Sequence, residues 1–131
     1  MRNAAKDRVR LIPYGETYEG RALYLLVLSS EENLSRLEEI RADIRKLSDP
    51  RTSTDVEAEK IIKSTPAIAW LSYGVHGNEA SSSEAALNVM YQLSARTDEE
   101  VVSLLKNLVI VIDPLLNPDG HERYVNFEWT R

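Results

Sequence analysis

Ala67-Ile68-Ala69-Trp70-Leu71-Ser72-Tyr73-Gly74-Val75-His76-Gly77-Asn78-Glu79-Ala80-Ser81-Ser82-Ser83-Glu84 is the stretch whose reading decides the fold. Ala67 to Leu71 is a short apolar run with the length and flanks of a buried strand. Tyr73 to Glu79 reads as a turn containing Gly74 and Gly77. Beyond it Ala80, Ala85, Ala86, Val89, Met90 and Leu93 recur at helical spacing. His76 and Glu79 therefore sit where a strand hands over to a helix, at the carboxyl end of that strand. Open α/β sheets bind their ligands along that edge.

The chemistry of the pair follows from reach. An imidazole nitrogen and a carboxylate oxygen both ligate zinc at roughly 2.0–2.2 Å. A separation of three positions across a tight turn lets the two converge on one ion. Gly74 and Gly77 give the backbone freedom to approach such a site closely. The chain has no cysteine, so disulfides and thiolate metal sites are excluded and any zinc must use His and carboxylate donors. A length of 131 residues with 43% hydrophobic content fits one domain or part of one. A net charge of −5, with the basic residues scattered, speaks against a nucleic-acid surface. No apolar run approaches the roughly 18 residues of a membrane span, and the first residues lack the apolar core of a signal peptide. Neither nucleic acid nor membrane is expected as a partner.

Outward on the N-terminal side, Leu11 to Tyr14 reads as an edge strand, where Pro13 is tolerated. Met1 to Arg10 before it is polar and basic, and its pattern assigns it no firm structure. A polar turn from Gly15 to Arg21 leads into a strand from Ala22 to Leu28, which predicts a hairpin. Ser29-x-x-Glu32 reads as a capping box. The single helix it opens places Leu34, Leu37, Ile40, Ile44 and Leu47 on one face and stops at Ser48-Asp49-Pro50. Thr54-x-x-Glu57 caps a shorter helix with Val56, Ile61 and Ile62 as its apolar residues. On the C-terminal side, a helix is predicted from Asn78 to Ala95. Thr97-x-x-Glu100 caps another, with Val101, Val102, Leu104 and Leu105 inward. Leu108 to Ile112 is a continuous run of the kind buried on both faces of a sheet. The intervening helices make a crossover long enough for parallel pairing with the strand at Ala67. Asn117-Pro118-Asp119-Gly120 reads as a turn, and His121 to Arg131 shows no periodicity. The fold class expected is α/β: a three-layer fragment with a mixed, partly parallel sheet of about four strands and helices on its faces. One sheet edge is expected to be unpaired and apolar, a place for association.

Three blocks occur in order: Gly15-Glu16-Thr17-Tyr18-Glu19-Gly20-Arg21, Gly74-Val75-His76-Gly77-Asn78-Glu79-Ala80 and Asn117-Pro118-Asp119-Gly120. With them the chain resembles the N-terminal part of the zinc metallocarboxypeptidases, the carboxypeptidase A-like family, from about Leu11 to Tyr124. The resemblance implies Zn2+ held by His76 and Glu79 together with a histidine far downstream. It implies a general-base glutamate near the end of the domain and peptide or protein C-termini as substrates. It also implies an arginine after the Asn-Pro-Asp-Gly turn that helps stabilise the oxyanion. Arg131 stands at about that distance as the candidate substrate-binding residue, with a solvated surface charge as the other reading. No glutamate within residues 1–131 occupies a position the family uses as base. The chain is thus expected to be a single truncated peptidase-like domain that is inactive by itself. Family analogy leans to the periplasm or the exterior, with no targeting segment present. His121 reads as a surface loop residue rather than as the third ligand, and Trp70 and Tyr73 as core and site-wall residues. Two alternatives stay open. One is a zinc deacylase like the aspartoacylase and succinylglutamate desuccinylase relatives, which share Gly-x-His-Gly-x-Glu. The other is a non-catalytic truncated module.

Overall fold

The computed structural model describes residues 7–129. The elements are β1 (Val9–Glu16), β2 (Ala22–Leu28), α1 (Glu31–Ser35), α2 (Leu37–Ser48), α3 (Asp55–Ser64), β3 (Ala67–Ser72), α4 (Ala80–Ala95), α5 (Glu99–Asn107), β4 (Leu108–Asp113) and α6 (Pro118–Trp129). The strands form one sheet in the order β1-β2-β4-β3. β1 runs antiparallel to β2, β2 antiparallel to β4, and β3 parallel to β4. The parallel register sets Leu71 opposite Ile112 and Ser72 opposite Asp113. The carboxyl ends of β3 and β4 therefore lie side by side, and the loops that follow them emerge together.

β4 is central because its residues can be buried on both sides. Side chains alternate across a strand, so Ile110 and Ile112 join Leu28 against Val101 and Leu105 of α5. Val89, Met90 and Leu93 of α4 pack onto the same cluster. On the other face Val109 joins Val27 against Leu34 of α1 and Ile40 of α2, with Leu37, Ile44 and Val111 around them. Leu28 and Ile112 are completely buried. This is the expected three-layer arrangement, with helices on both faces of a mixed sheet.

Several local expectations are corrected. β1 begins at Val9, since Val9 and Arg10 pair with Leu28 and Val27. Its ladder shifts between Pro13 and Gly15, where a proline supplies no N–H. The helix after β2 is two helices, broken at Arg36. Ser30 rather than Ser29 caps α1, accepting from the Asn33 N–H. Ser29 is fully buried, and its hydroxyl lies 2.6 Å from the Leu108 carbonyl and 3.1 Å from that of Leu105. Asn33 Nδ2 donates to Ser29 Oγ and to the carbonyls of Leu105 and Lys106. The last turn of α5 would leave these carbonyls without partners, and that demand claims Ser29. Asp98 caps α5, not Thr97. The box at Thr54 and Glu57 is present in full, yet only Ile61 of α3 is buried, with Val56 and Ile62 exposed. On α5, Val101 and Leu105 are buried while Leu104 is exposed.

Among the described residues the strand at Ala67 is an edge strand, not a buried one. Among the described residues β3 pairs only with β4, and Trp70 is 60% exposed. Trp70 is thus not core, whereas Tyr73 packs on the α4–α5 cluster. His121 to Trp129, which shows no sequence periodicity, is helical. Asn117 Oδ1 accepts the Gly120 N–H at 2.9 Å, and Pro118 is the first helical residue. Those are the places an N-cap asparagine and an N1 proline take. The four residues 117–120 therefore open α6 instead of forming a free-standing turn. No helix among the described residues is long and apolar enough to cross a membrane.

Candidate metal centre

His76 and Glu79 are the ends of a tight turn. The Glu79 N–H donates to the His76 carbonyl at 3.1 Å, with Gly77 and Asn78 between them. A β-turn holds its end Cα atoms within about 7 Å, so an imidazole and a carboxylate on those ends can meet one ion. α4 begins at Ala80, two residues later than the sequence predicts, and Glu79 is its N-cap. Its carboxylate makes no capping hydrogen bond. Neither His76 nor Glu79 has a side-chain hydrogen bond or ion pair among the described residues, and both are exposed. A carboxylate at the start of a helix is favoured by the helix dipole. Gly74, with φ of +64°, turns the chain out of β3, and its N–H donates to Ser82 Oγ on α4.

The loop carrying these residues is held from one side by the segment between β4 and α6. Leu116 N–H donates to the Tyr73 carbonyl at 2.9 Å and Asn117 N–H to the Gly74 carbonyl at 3.0 Å. Asn117 Nδ2 donates to the Val75 carbonyl at 3.1 Å. His121 Nδ1 lies 3.1 Å from the Gly77 carbonyl. Gly77 is buried against the first turn of α6, and a Cβ there would overlap the Gly120 carbonyl carbon and the His121 nitrogen. The absence of a side chain is what lets the two backbones touch.

α6 is in turn held by the β1–β2 turn. Asp119 is buried, and its carboxylate accepts from Thr17 Oγ1 at 2.7 Å, from an Arg21 guanidinium nitrogen at 2.7 Å and from the Glu19 N–H at 3.2 Å. Burial would push the Asp119 carboxyl up. The hydrogen bonds from Thr17, Arg21 and the Glu19 amide outweigh it and hold the group below the ordinary aspartate value. Glu19 pairs with Arg21 at 2.5 Å and with Arg123 on α6, and those two guanidinium groups hold its carboxyl low. A further link lies at the end of β4. The Tyr14 hydroxyl donates to buried Asp113 at 2.5 Å. Burial, then that hydrogen bond and the aspartate charge, push the phenol up to about 12.

All three sequence blocks thus meet at one end of the sheet, and the middle one presents the His-x-x-Glu pair. The sequence model of the zinc carboxypeptidases matches residues 1–130. The chain belongs to this family. It is a family of metallopeptidases, zinc-dependent hydrolases of peptide bonds. The fold agrees. Thrombin activatable fibrinolysis inhibitor matches with a TM-score of 0.61 at 20% identity, over 90% of this chain and 22% of that one. Carboxypeptidase A from Helicoverpa armigera gives 0.58 at 21%, over 91% and 22%. A metallo-carboxypeptidase from Burkholderia cenocepacia gives 0.57 at 19%, over 89% and 24%. The chain therefore spans between 22% and 24% of the length of those three structures. No curated protein matches it by sequence.

The donor set at His76 and Glu79 suits the family's metal: one imidazole and one carboxylate, unengaged and turned to solvent at the start of a helix. Among the described residues no group of three or more His, Asp or Glu side chains could hold an ion, and His76 and Glu79 are a pair of candidate donors. Arg131 lies outside the described residues. His121 belongs to α6 and is half-buried against the loop of His76 and Glu79, rather than sitting on a surface loop. Sequence reasoning missed the supporting roles of Thr17, Asn117, Asp119 and His121. For Asn117 a signal was present, since Asn-Pro-Asp is also the pattern of an N-cap, a first-turn proline and a first-turn acid.

Proposed function

We propose that this chain is the metal-binding portion of a zinc metallocarboxypeptidase that hydrolyses C-terminal peptide bonds, with His76 and Glu79 as two of the protein ligands. The observation that carries the reading is the turn from His76 to Glu79. It presents both side chains free, at the carboxyl end of β3, in a chain matched by the zinc carboxypeptidases over 1–130. When bound, zinc supplies a Lewis acid for the scissile carbonyl and a water whose pKa falls towards neutrality. His76 offers a neutral imidazole nitrogen and Glu79 a carboxylate oxygen. Committed to the metal, Glu79 is not free to take a proton, and the general base comes from outside these residues. Arg131 is the proposed donor to the developing oxyanion. Peptide or protein C-termini are the proposed substrates. The family match supports this reading over a deacylase.

The partial site predicts weak metal binding and no turnover. Titration calorimetry on the 131-residue chain is expected to show no submicromolar zinc site, and His76→Ala to remove the binding that is seen. C-terminal hydrolysis of peptides stays at background with zinc added, and a longer chain that includes the downstream histidine and glutamate recovers it. Hydrolysis by the short chain that is lost on chelation and in Glu79→Ala would overturn the reading. The edge of β3, with Ile68 and Trp70 exposed beside it, supports association through that strand as a further proposal.

A further inference from the structure

We propose that His121 is a positioning residue for the metal loop, acting on His76 and Glu79 through the backbone between them. The inference rests on the metal-site reading above. The Gly77 carbonyl belongs to the turn whose ends are those two residues, and it can only accept. At 3.1 Å from it, His121 Nδ1 therefore carries the proton and donates. Three neighbouring carbonyls are occupied in the same way, those of Tyr73, Gly74 and Val75, by donors from Leu116 and Asn117. The carbonyl of His76 is taken by the Glu79 N–H. The side chain of His121 thus completes a row of hydrogen bonds that leaves the turn little room to rotate. Gly77 lies flush on the α6 backbone, which keeps the imidazole within reach.

The consequence is for metal affinity. Two ligands on a mobile turn must be ordered when the ion arrives, whereas two ligands on a fixed turn are ordered beforehand, and binding is tighter by that difference. Partners that fix ligand orientation commonly change metal affinity by about 10–100-fold. The site is held from one side, so the expected effect is at the low end, about tenfold. His121 does this without touching the ion. An imidazole that were itself a ligand would behave differently on substitution, because an amide can replace the donated hydrogen bond but is a poor zinc ligand.

Two variants of the 131-residue chain separate the cases. His121→Asn keeps an N–H donor near the position of Nδ1, and His121→Leu removes it. His121→Ala serves as a second donorless variant where the leucine does not fold. Zinc affinity is read by competition with a chromophoric chelator, and amide hydrogen exchange across residues 73–79 and 116–117 is read without metal. The donorless variants are expected to bind zinc about tenfold more weakly and to exchange faster across the loop, with His121→Asn close to the parent in both. Unchanged affinity and exchange in the donorless variants would overturn the proposal. So would an asparagine variant that loses zinc as completely as leucine while its loop exchange stays slow, since the imidazole would then be a ligand. A parent chain that binds no zinc at all sinks the metal reading instead. The exchange rates of the leucine and asparagine variants then decide the positioning role by themselves.

Discussion

The carboxyl end of β3 and its flank are built on opposite principles. At its carboxyl end the loop of His76 and Glu79, the start of α6 and the β1–β2 turn are locked by short hydrogen bonds, a buried aspartate and backbone contact at Gly77. Along its side, Ile68, Trp70 and, across the sheet, Ile12 lie open over the face that α2 covers only in part. The locked end spends polar groups and conformational freedom on fixing one geometry. Among the described residues the open flank leaves apolar surface exposed and the outer edge of β3 without a strand partner.

The strongest way to break the contrast is at Gly77. Gly77→Ala drives a methyl into the Gly120 backbone, which cannot swing aside as a side chain can. A loss of about 3 kcal/mol, the upper end for over-packing, is expected in denaturant unfolding, with zinc binding lost as well. A variant of parent stability would show that the two backbones are not held together. Next comes the Asp119 network. Its carboxyl is depressed in the folded chain, so the stability it confers is present above the ordinary aspartate value of 3.8 and is lost as pH falls through the lower folded value. Asp119→Asn should flatten that acid limb of the stability curve and lower the unfolding midpoint at neutral pH. An unchanged acid limb would mean that other carboxylates carry it.

The open flank answers differently. Trp70→Lys should change unfolding by no more than about 0.5 kcal/mol, as surface substitutions do, yet it places a charge on the edge strand and should reduce self-association measured by sedimentation. Equal association of both forms would move the contact elsewhere. The smallest effect expected is optical. Six tyrosines are present, and Tyr14 should ionise near 12. Its raised value means that its contribution to stability is intact below pH 10 and is lost as pH rises through 12. Tyr14→Phe should remove the step near 12 from the spectrophotometric titration, and a titration unchanged by the substitution would show that the phenol is not held by Asp113.

Much of this was legible beforehand. The β-branched run Leu108–Ile112 dictated a central strand, because nothing but burial on both faces suits it. The paired glycines around His76 dictated a turn at a strand end, and the box at Thr54 and Glu57 is local chemistry that needs no tertiary partner. Ser29 shows where such reading fails. Its local pattern is that of a cap, but a distant helix end competes for the same hydroxyl and wins.

The sequence by itself determined the strand–turn–helix that carries His76 and Glu79, the parallel pairing of β3 with β4, and the chemistry those two side chains can offer. Each of these depends on spacing within a few residues or on a continuous hydrophobic run. Only the tertiary structure decided that β3 has a single strand neighbour among the described residues, that Asn117 to Gly120 opens a helix, and that Asp119 bonds to the β1–β2 turn and His121 to the loop of His76 and Glu79. Those outcomes depend on which backbone groups are left unsatisfied after packing, and on residues about a hundred positions apart in the chain meeting at Asp119. No local pattern encodes such a meeting, because a buried carboxylate or carbonyl takes whatever donor the fold brings to it.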